Sequence, residues 1–408
     1  MVRHQVFFES LGALDASDPG WSSPFAGLSV LRIVDSLAAA ADAPNAAHRA
    51  AINAARATAR SIREGDPSRA ILLRIFDLLE KPNGLTGALA RELLAYGRSL
   101  DLEGRWPLAA DVFGTVAEKF RSRRNRAIVI ESLTALGAAA RNTGDWETSE
   151  RSYAEAQHMA DSAGDRARSL TAQVGIANSH VAHGNLPAAD AELEEVFAEA
   201  GTAGLQQVEA IALHTRAYLA IASGDYQNAV HYGYRSLELT IDETARDRIL
   251  GDIAAAYAGL GLRETARDGF LIVAVTSPHQ WVRWQATLNL MELAIEDGAE
   301  RLFDDYYAQV QNEPLDPRLR AFLLLLKARG FRTFGRAGSE ALFAAAHEEA
   351  TRHRLHQIAF EVEAEAKRER QPVNVPGRAT VAEFEVYPGE LDRIAEVLMH
   401  LRKEVVAG

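Results

Sequence analysis

The 408-residue chain has no cysteine, which excludes disulfides, thiolate chemistry and cysteine-based zinc sites. Its net charge of −12 argues against a broad phosphate-binding surface, which needs a basic stripe, and against an anionic membrane as partner. A hydrophobic share of 48% is ample for a large core, yet no run reaches the length of a membrane span and the N-terminus carries no apolar stretch long enough for a secretory leader, so the cytoplasm is the expected compartment.

Residues 1–26 read as irregular, broken by Gly20, Ser22, Ser23 and Pro24. Residues 27–41 read as a helix with Leu28, Leu31, Val34 and Leu37 on one face, and residues 1–46 together as an irregular N-terminus with a capping helix.

From there to residue 354 the chain is periodic. Gly65, Gly104, Gly144, Gly184, Gly224, Gly261, Gly298 and Gly335 are spaced by 39, 40, 40, 40, 37, 37 and 37 residues. A fixed period of this length means stacked copies of one small unit. Five residues after the glycine stand Ala70, Ala109, Ser149, Ala189, Ala229 and Ala266, small enough for close helix approach. Nine after stand Phe113, Tyr153, Leu193, Phe270 and Tyr307, and twelve after Val116, Ala156, Val196, Val273 and Val310, all on one helical face. Upstream, Leu93, Leu133, Leu213 and Leu250 at minus eleven and Gly97, Gly137, Ala177, Ala217 and Ala254 at minus seven mark a second amphipathic helix running into the turn. The unit is helix, tight turn, helix. The glycine supplies positive φ, the following Asp or Asn caps the second helix, and Pro67, Pro107 and Pro187 fall in its first turn. Phe303 and Glu340 depart from the small-residue rule in the last two copies, and Arg216 and Lys327 fall on core positions.

The Gly-Asp-aromatic words (Gly144-Asp145-Trp146, Gly224-Asp225-Tyr226), the small residue five later and Leu133, Leu136 and Gly137 resemble the tetratricopeptide repeat family in its longer, 40-residue variant. The resemblance implies an all-α, right-handed superhelical α-solenoid of about eight helix-turn-helix repeats with terminal capping helices. It also implies that the first helix of each pair lines a concave groove, at positions ten, six and three before the glycine. Those positions place Arg98, Thr134, Arg141, Asn178, His214, Tyr218, Glu292 and Arg329 as the candidate partner-binding residues. Arg98 and Arg141 suit a carboxylate, Asn178 a peptide backbone, and Tyr218 an apolar anchor.

Residues 355–408 change character. Gln371 to Pro388 contains Pro372, Pro376, Gly377 and Pro388 and reads as a non-helical linker, with Val381 to Tyr387 as a short extended stretch. Leu391, Ile394, Leu398, Leu401 and Val405 mark a final amphipathic helix, expected to cap the last repeat or else to occupy a groove.

Catalytic motifs fail on spacing. His347-Glu348 is followed by His353 six residues on rather than four, so the two imidazoles do not share a face as a zinc protease needs. Gly259 and Gly261 have no strand before them, and no phosphate-binding loop or nucleophile elbow occurs. Trp281 and Trp284 read as packing. The expectation is a non-catalytic scaffold, with no cofactor and no metal, that binds a protein or peptide segment and neither nucleic acid nor membrane. The alternative is a ligand- or peptide-sensing module of a bacterial signalling or transcription-control system. The oligomeric state is left open.

Overall fold

The computed structural model describes residues 3–14, 18, 20–40, 45–81, 85–353, 355–367 and 389–407. Among them there are twenty α-helices and no strand. They fall into two compact units, Met1–Val208 and Glu209–Gly408. The expected extended stretch at Val381 to Tyr387 and the linker around it lie outside the described residues.

The first unit opens with α1 (Gln5–Gly12) and α2 (Ser22–Ala40). The described part of residues 1–26 is therefore more helical than expected. Ser22, Ser23 and Pro24 form the first turn of α2, where proline is tolerated, rather than breaking it. Leu28, Leu31, Val34 and Leu37 are buried as the spacing requires. Four α-hairpins follow: α3 (Ala46–Ser61) with α4 (Pro67–Leu79), α5 (Gly87–Leu102) with α6 (Trp106–Lys119), α7 (Arg126–Asn142) with α8 (Trp146–Asp161), and α9 (Arg166–Ala182) with α10 (Leu186–Ala203). Each helix packs on the next, and the first helices of adjacent hairpins also touch, α5 on α7 and α7 on α9.

The second unit repeats the scheme. Its hairpins are α11 (Gln206–Ser223) with α12 (Tyr226–Leu239), α13 (Glu243–Gly259) with α14 (Arg263–Thr276), α15 (Gln280–Glu296) with α16 (Glu300–Val310), and α17 (Pro317–Thr333) with α18 (Ser339–Arg352). Then come α19 (His356–Lys367), packed on α18, and α20 (Glu390–Ala407).

Seven of the eight periodic glycines end a first helix in the left-handed region, with φ between 66° and 79°. At each, two hydrogen bonds close the helix. At Gly144, for instance, its own N–H donates to the Arg141 carbonyl (3.0 Å) and the Asp145 N–H to the Ala140 carbonyl (2.9 Å). This pair of hydrogen bonds satisfies carbonyls that a bare helix end leaves unpaired. Asp145 and Asp225 then accept from the third amide of the following helix, so one word of sequence ends one helix and starts the next. Asn185 makes no such side-chain bond, contrary to expectation.

The first periodic glycine is the exception. Helix α3 stops at Ser61, Ile62 turns extended, and the chain crosses by a turn in which the Asp66 N–H donates to the Arg63 carbonyl. Gly65 therefore needs no positive φ. The register of α4 shifts with it: Ala70 is exposed, and Ser68 is the small residue buried against α5, its hydroxyl 3.4 Å from that of Ser99. The last hairpin also slips, because Gly338 adds a second left-handed residue (φ 94°); Ser339 is buried and Glu340 points to solvent.

Elsewhere the small-residue rule holds: Ala109, Ser149, Ala189, Ala229 and Ala266 are all buried. Large rings sit where a neighbour lacks a side chain. The Tyr153 ring is sandwiched between Gly137 of α7 and Gly175 of α9, where a Cβ would approach it to 2.8 Å and 2.1 Å. Phe303 breaks the rule but is fully buried, because Gly330 on α17 leaves it room. Arg216 and Lys327 are half-buried and rest their cations over the rings of Tyr232 and Tyr307.

Helix α20 packs on α12 and α14, rather than closing the last hairpin, one of the two seats expected for it. The cause lies in α14. Its run Gly269 to Val275 is apolar on every side, and a helix apolar all round needs cover on more than one side. Leu391, Ile394 and Leu398 provide it, joining one cluster with Phe270, Ile272 and Val273. Polar groups fix the register. Tyr257 donates its hydroxyl to the Leu391 carbonyl (2.8 Å), His231 meets Glu390 (2.9 Å), and Arg402 meets Asp268 (2.5 Å). Burial pushes the Tyr257 hydroxyl up, so it stays a donor.

Candidate functional site

The eight candidate residues all lie on first helices of hairpins. Arg98, Thr134, Arg141 and Asn178 belong to α5, α7 and α9 of the first unit. His214, Tyr218, Glu292 and Arg329 belong to α11, α15 and α17 of the second.

In the first unit Arg98 is tied from helix to helix. Arg98 is exposed and meets Glu131 of α7 (3.2 Å). The other oxygen of Glu131 takes Arg168 of α9 (2.6 Å), which also holds Asp165 (2.5 Å). Thr134 turns its hydroxyl back onto the Ile130 carbonyl of its own helix (3.0 Å), so it offers no donor outward. Asn178 is half-buried and already has a partner. Arg141 is half-buried, and its guanidinium makes no hydrogen bond or ion pair among the described residues. It is the one candidate cation here free to take an outside carboxylate.

The second unit has a similar ladder. His214 of α11 meets Asp252 of α13 (2.8 Å). Arg329 bridges Glu292 of α15 (2.8 Å) and Glu361 of α19 (2.5 Å), with Glu365 at 3.6 Å and Arg332 at 3.7 Å from Glu365. Burial raises the Glu292 carboxyl above the ordinary range despite Arg329 beside it. For Arg329 burial also opposes charge, but Glu292 and Glu361 outweigh it. These charges hold neighbouring hairpins together and are not idle ligands. The ladder steps run 33 and 37 residues in the first unit and 38, 37 and 32 in the second, close to the repeat period.

The row ten before each glycine is more covered than a groove position should be. Leu94, Val174, Leu288 and Leu325 are buried. The row six before is open where it matters: Tyr218 is 43% exposed. Ile211, at 42%, was not among the candidates, though it lies seven residues earlier on the same helix face. Together with His214 and Ile221 it completes an i, i+3, i+7, i+10 stripe along α11. The facing helix α13, joined to α11 through His214 and Asp252, places only Gly251, Ala255 and Ala258 in the corresponding rows, and a Cβ on Gly251 would meet nothing within 4 Å. The result is an apolar wall beside a floor of small residues.

Among the described residues no group of three or more His, Asp or Glu is placed to hold a metal ion, and no helix is long and apolar enough to cross a membrane. His347 and His353 engage carboxylates instead, Glu363 at 3.1 Å and Glu349 at 3.6 Å. Trp281 donates its indole N–H to Asp316 (2.7 Å), linking the starts of α15 and α17.

No protein-family model and no curated protein matches the chain. Solved structures do. One is a crystal structure of Rap protein complexed with Competence and Sporulation Factor, 13% identical, covering 83% of this chain and 96% of that one with a TM-score of 0.46. The stack of α-hairpins itself, seen in each unit, establishes an all-α repeat fold.

Proposed function

We propose that the protein is a non-catalytic scaffold that binds a peptide or helical segment of a partner protein along the first-helix face of its hairpins. The observation that carries this reading is the stripe of Ile211, His214, Tyr218 and Ile221 on α11. It pairs two half-exposed large apolar side chains with the open floor at Gly251. An aromatic anchor beside a cleft of small residues is what a side chain of an incoming segment needs, because burying one large apolar group contributes about 1.5–3 kcal/mol. The ion-pair ladder leaves the cation Arg329 already committed, which favours an apolar anchor over a carboxylate clamp as the main contact in the second unit. In the first unit Arg141 supplies the free charge for an acidic residue of the partner.

The supporting experiment is capture of partners from native lysate by the wild type, Tyr218→Ala, Ile211→Ala and Arg141→Ala. Loss of one specific partner in Tyr218→Ala and Ile211→Ala, with an unchanged circular dichroism spectrum, is the expected outcome. Retention of every partner by both variants refutes the reading. The alternative, a sensor that binds a small ligand or peptide and passes a change to a second protein, uses the same face. It is separated by small-angle scattering with candidate ligands, which a pure scaffold leaves unchanged.

A further inference from the structure

We propose that residues 3–12 form a pH-sensitive strap across α2 and α6, closed while the His4 imidazole carries both its ring protons and released when it loses one. His4 is the N-cap of α1, and its side chain is only 2% exposed. Its Nδ1 lies 2.9 Å from Asp111 of α6 and its Nε2 3.0 Å from Asp35 of α2. Both partners are carboxylates, which accept but do not donate when ionised. Two such bonds therefore need two N–H groups, and only imidazolium has two. A neutral ring would turn one lone pair against a carboxylate oxygen at hydrogen-bond distance.

The surrounding charges sharpen the point. From the strap itself, Arg3 reaches Asp35 and, at 2.9 Å, Glu118. From α2, Asp35 faces the ring and Arg32 lines the same small hollow. From α6 come Asp111 and, one turn or more along, Glu118 and Lys119, the last 3.8 Å from Asp35. Asp35 thus keeps two other cations if His4 becomes neutral. Asp111 keeps none: His4 is the only partner of its carboxylate among the described residues. The backbone is also held under load. His4 is the one non-glycine residue with positive φ (59°) among those described, a conformation that persists only where surrounding contacts enforce it. Burial opposes the charge on His4, but the bonds and charges of Asp111 and then Asp35 outweigh it and raise its pKa above the usual 6.5.

What the strap covers gives the device its consequence. Phe7 is fully buried, and its ring lies where Gly27 of α2 has no side chain, 2.8 Å from where a Cβ would stand. Opening the strap exposes Phe7 and uncovers this part of α2. The sign follows from the raised folded-state value. The clasp is complete below about pH 6.5, the pKa of an unconstrained histidine, and is lost as pH rises through the higher value of the closed state. Between those two values the opening constant rises up to about tenfold per pH unit, and above them it levels off.

The test is hydrogen–deuterium exchange of residues 3–12 in the whole chain from pH 6 to 9, normalised to intrinsic rates, together with an NMR titration of the His4 ring. The result expected is opening that grows with pH through the His4 midpoint. In His4→Gln, opening is expected to be larger but independent of pH, and Asp111→Asn should lower the His4 midpoint. Wild-type opening that does not change with pH overturns the proposal. So does a pH dependence that survives in His4→Gln, or a His4 midpoint that Asp111→Asn leaves in place.

Discussion

The Tyr153 slot makes the packing logic of the repeats measurable. Replacing Gly175 by alanine puts a methyl group 2.1 Å, 2.5 Å and 2.6 Å from three atoms of the Tyr153 ring. The ring has no retreat, because Gly137 already approaches from the other side, where a Cβ would stand 2.8 Å away. On helix propensity alone, the change should stabilise by about 1 kcal/mol. Overpacking a filled site costs about 1–3 kcal/mol, and a displacement of more than an ångström against a closed wall belongs at the top of that range. The net expectation is destabilisation by about 2 kcal/mol. Gly114→Ala is the control. Its Cβ would meet only Leu136 Cδ2, at 4.0 Å, so propensity should win and the variant should gain about 0.5–1 kcal/mol. Urea unfolding of both variants, with Tyr153→Leu and the Gly175→Ala/Tyr153→Leu double variant, reads the effect and its coupling. The double variant should lose less than the sum of the singles. If Gly175→Ala is as stabilising as Gly114→Ala, the sandwiched ring does not set the spacing of α7, α8 and α9.

Leu398→Ala should cost about 2–4 kcal/mol of α20 docking; exchange protection should drop in residues 390–407 and along α14, while the first unit stays unchanged. Removing the N-cap in Asp145→Ala should cost about 1 kcal/mol, read as a lower urea midpoint. Arg329→Ala leaves Glu292, Glu361 and Glu365 without their shared cation and should cost about 3 kcal/mol at neutral pH. Because the folded state already holds the Glu292 proton more tightly than the unfolded chain does, that deficit should shrink as pH falls through the folded-state pKa. A deficit that grows toward acid would show that the ladder is not what Arg329 supports.

Much of the architecture was legible because turn chemistry repeats. A glycine that ends one helix recurs in step, at two turns with an aspartate that caps the next helix, and the φ values of seven glycines follow. The two ends were harder to read. At Gly65 and Gly338 the turns are built differently, and a slip of two residues in α4 and of one in α18 moves Ala70 and Glu340 to the surface while the glycines stay nearly evenly spaced. The seat of α20 had a signal that went unread, the all-round apolar run Gly269 to Val275, which no hairpin partner alone can cover. The candidate face was legible as a set of positions but not in its state. Which arginines are free depends on contacts 33 to 37 residues away, such as Arg98 with Glu131 and Arg329 with Glu292, and spacing alone does not reveal them. Ile211 was missed because it stands thirteen residues before its glycine, one turn beyond the rows considered.

The most direct test of recognition by the first-helix face is site-specific photo-crosslinking in the native lysate. A photoreactive phenylalanine analogue is placed at Ile211, at Tyr218, and at Glu150 on the exposed side of α8. The account expects positions 211 and 218 to trap the same protein and position 150 to trap none of it. Crosslinks to that protein from position 150, with positions 211 and 218 silent, would contradict it.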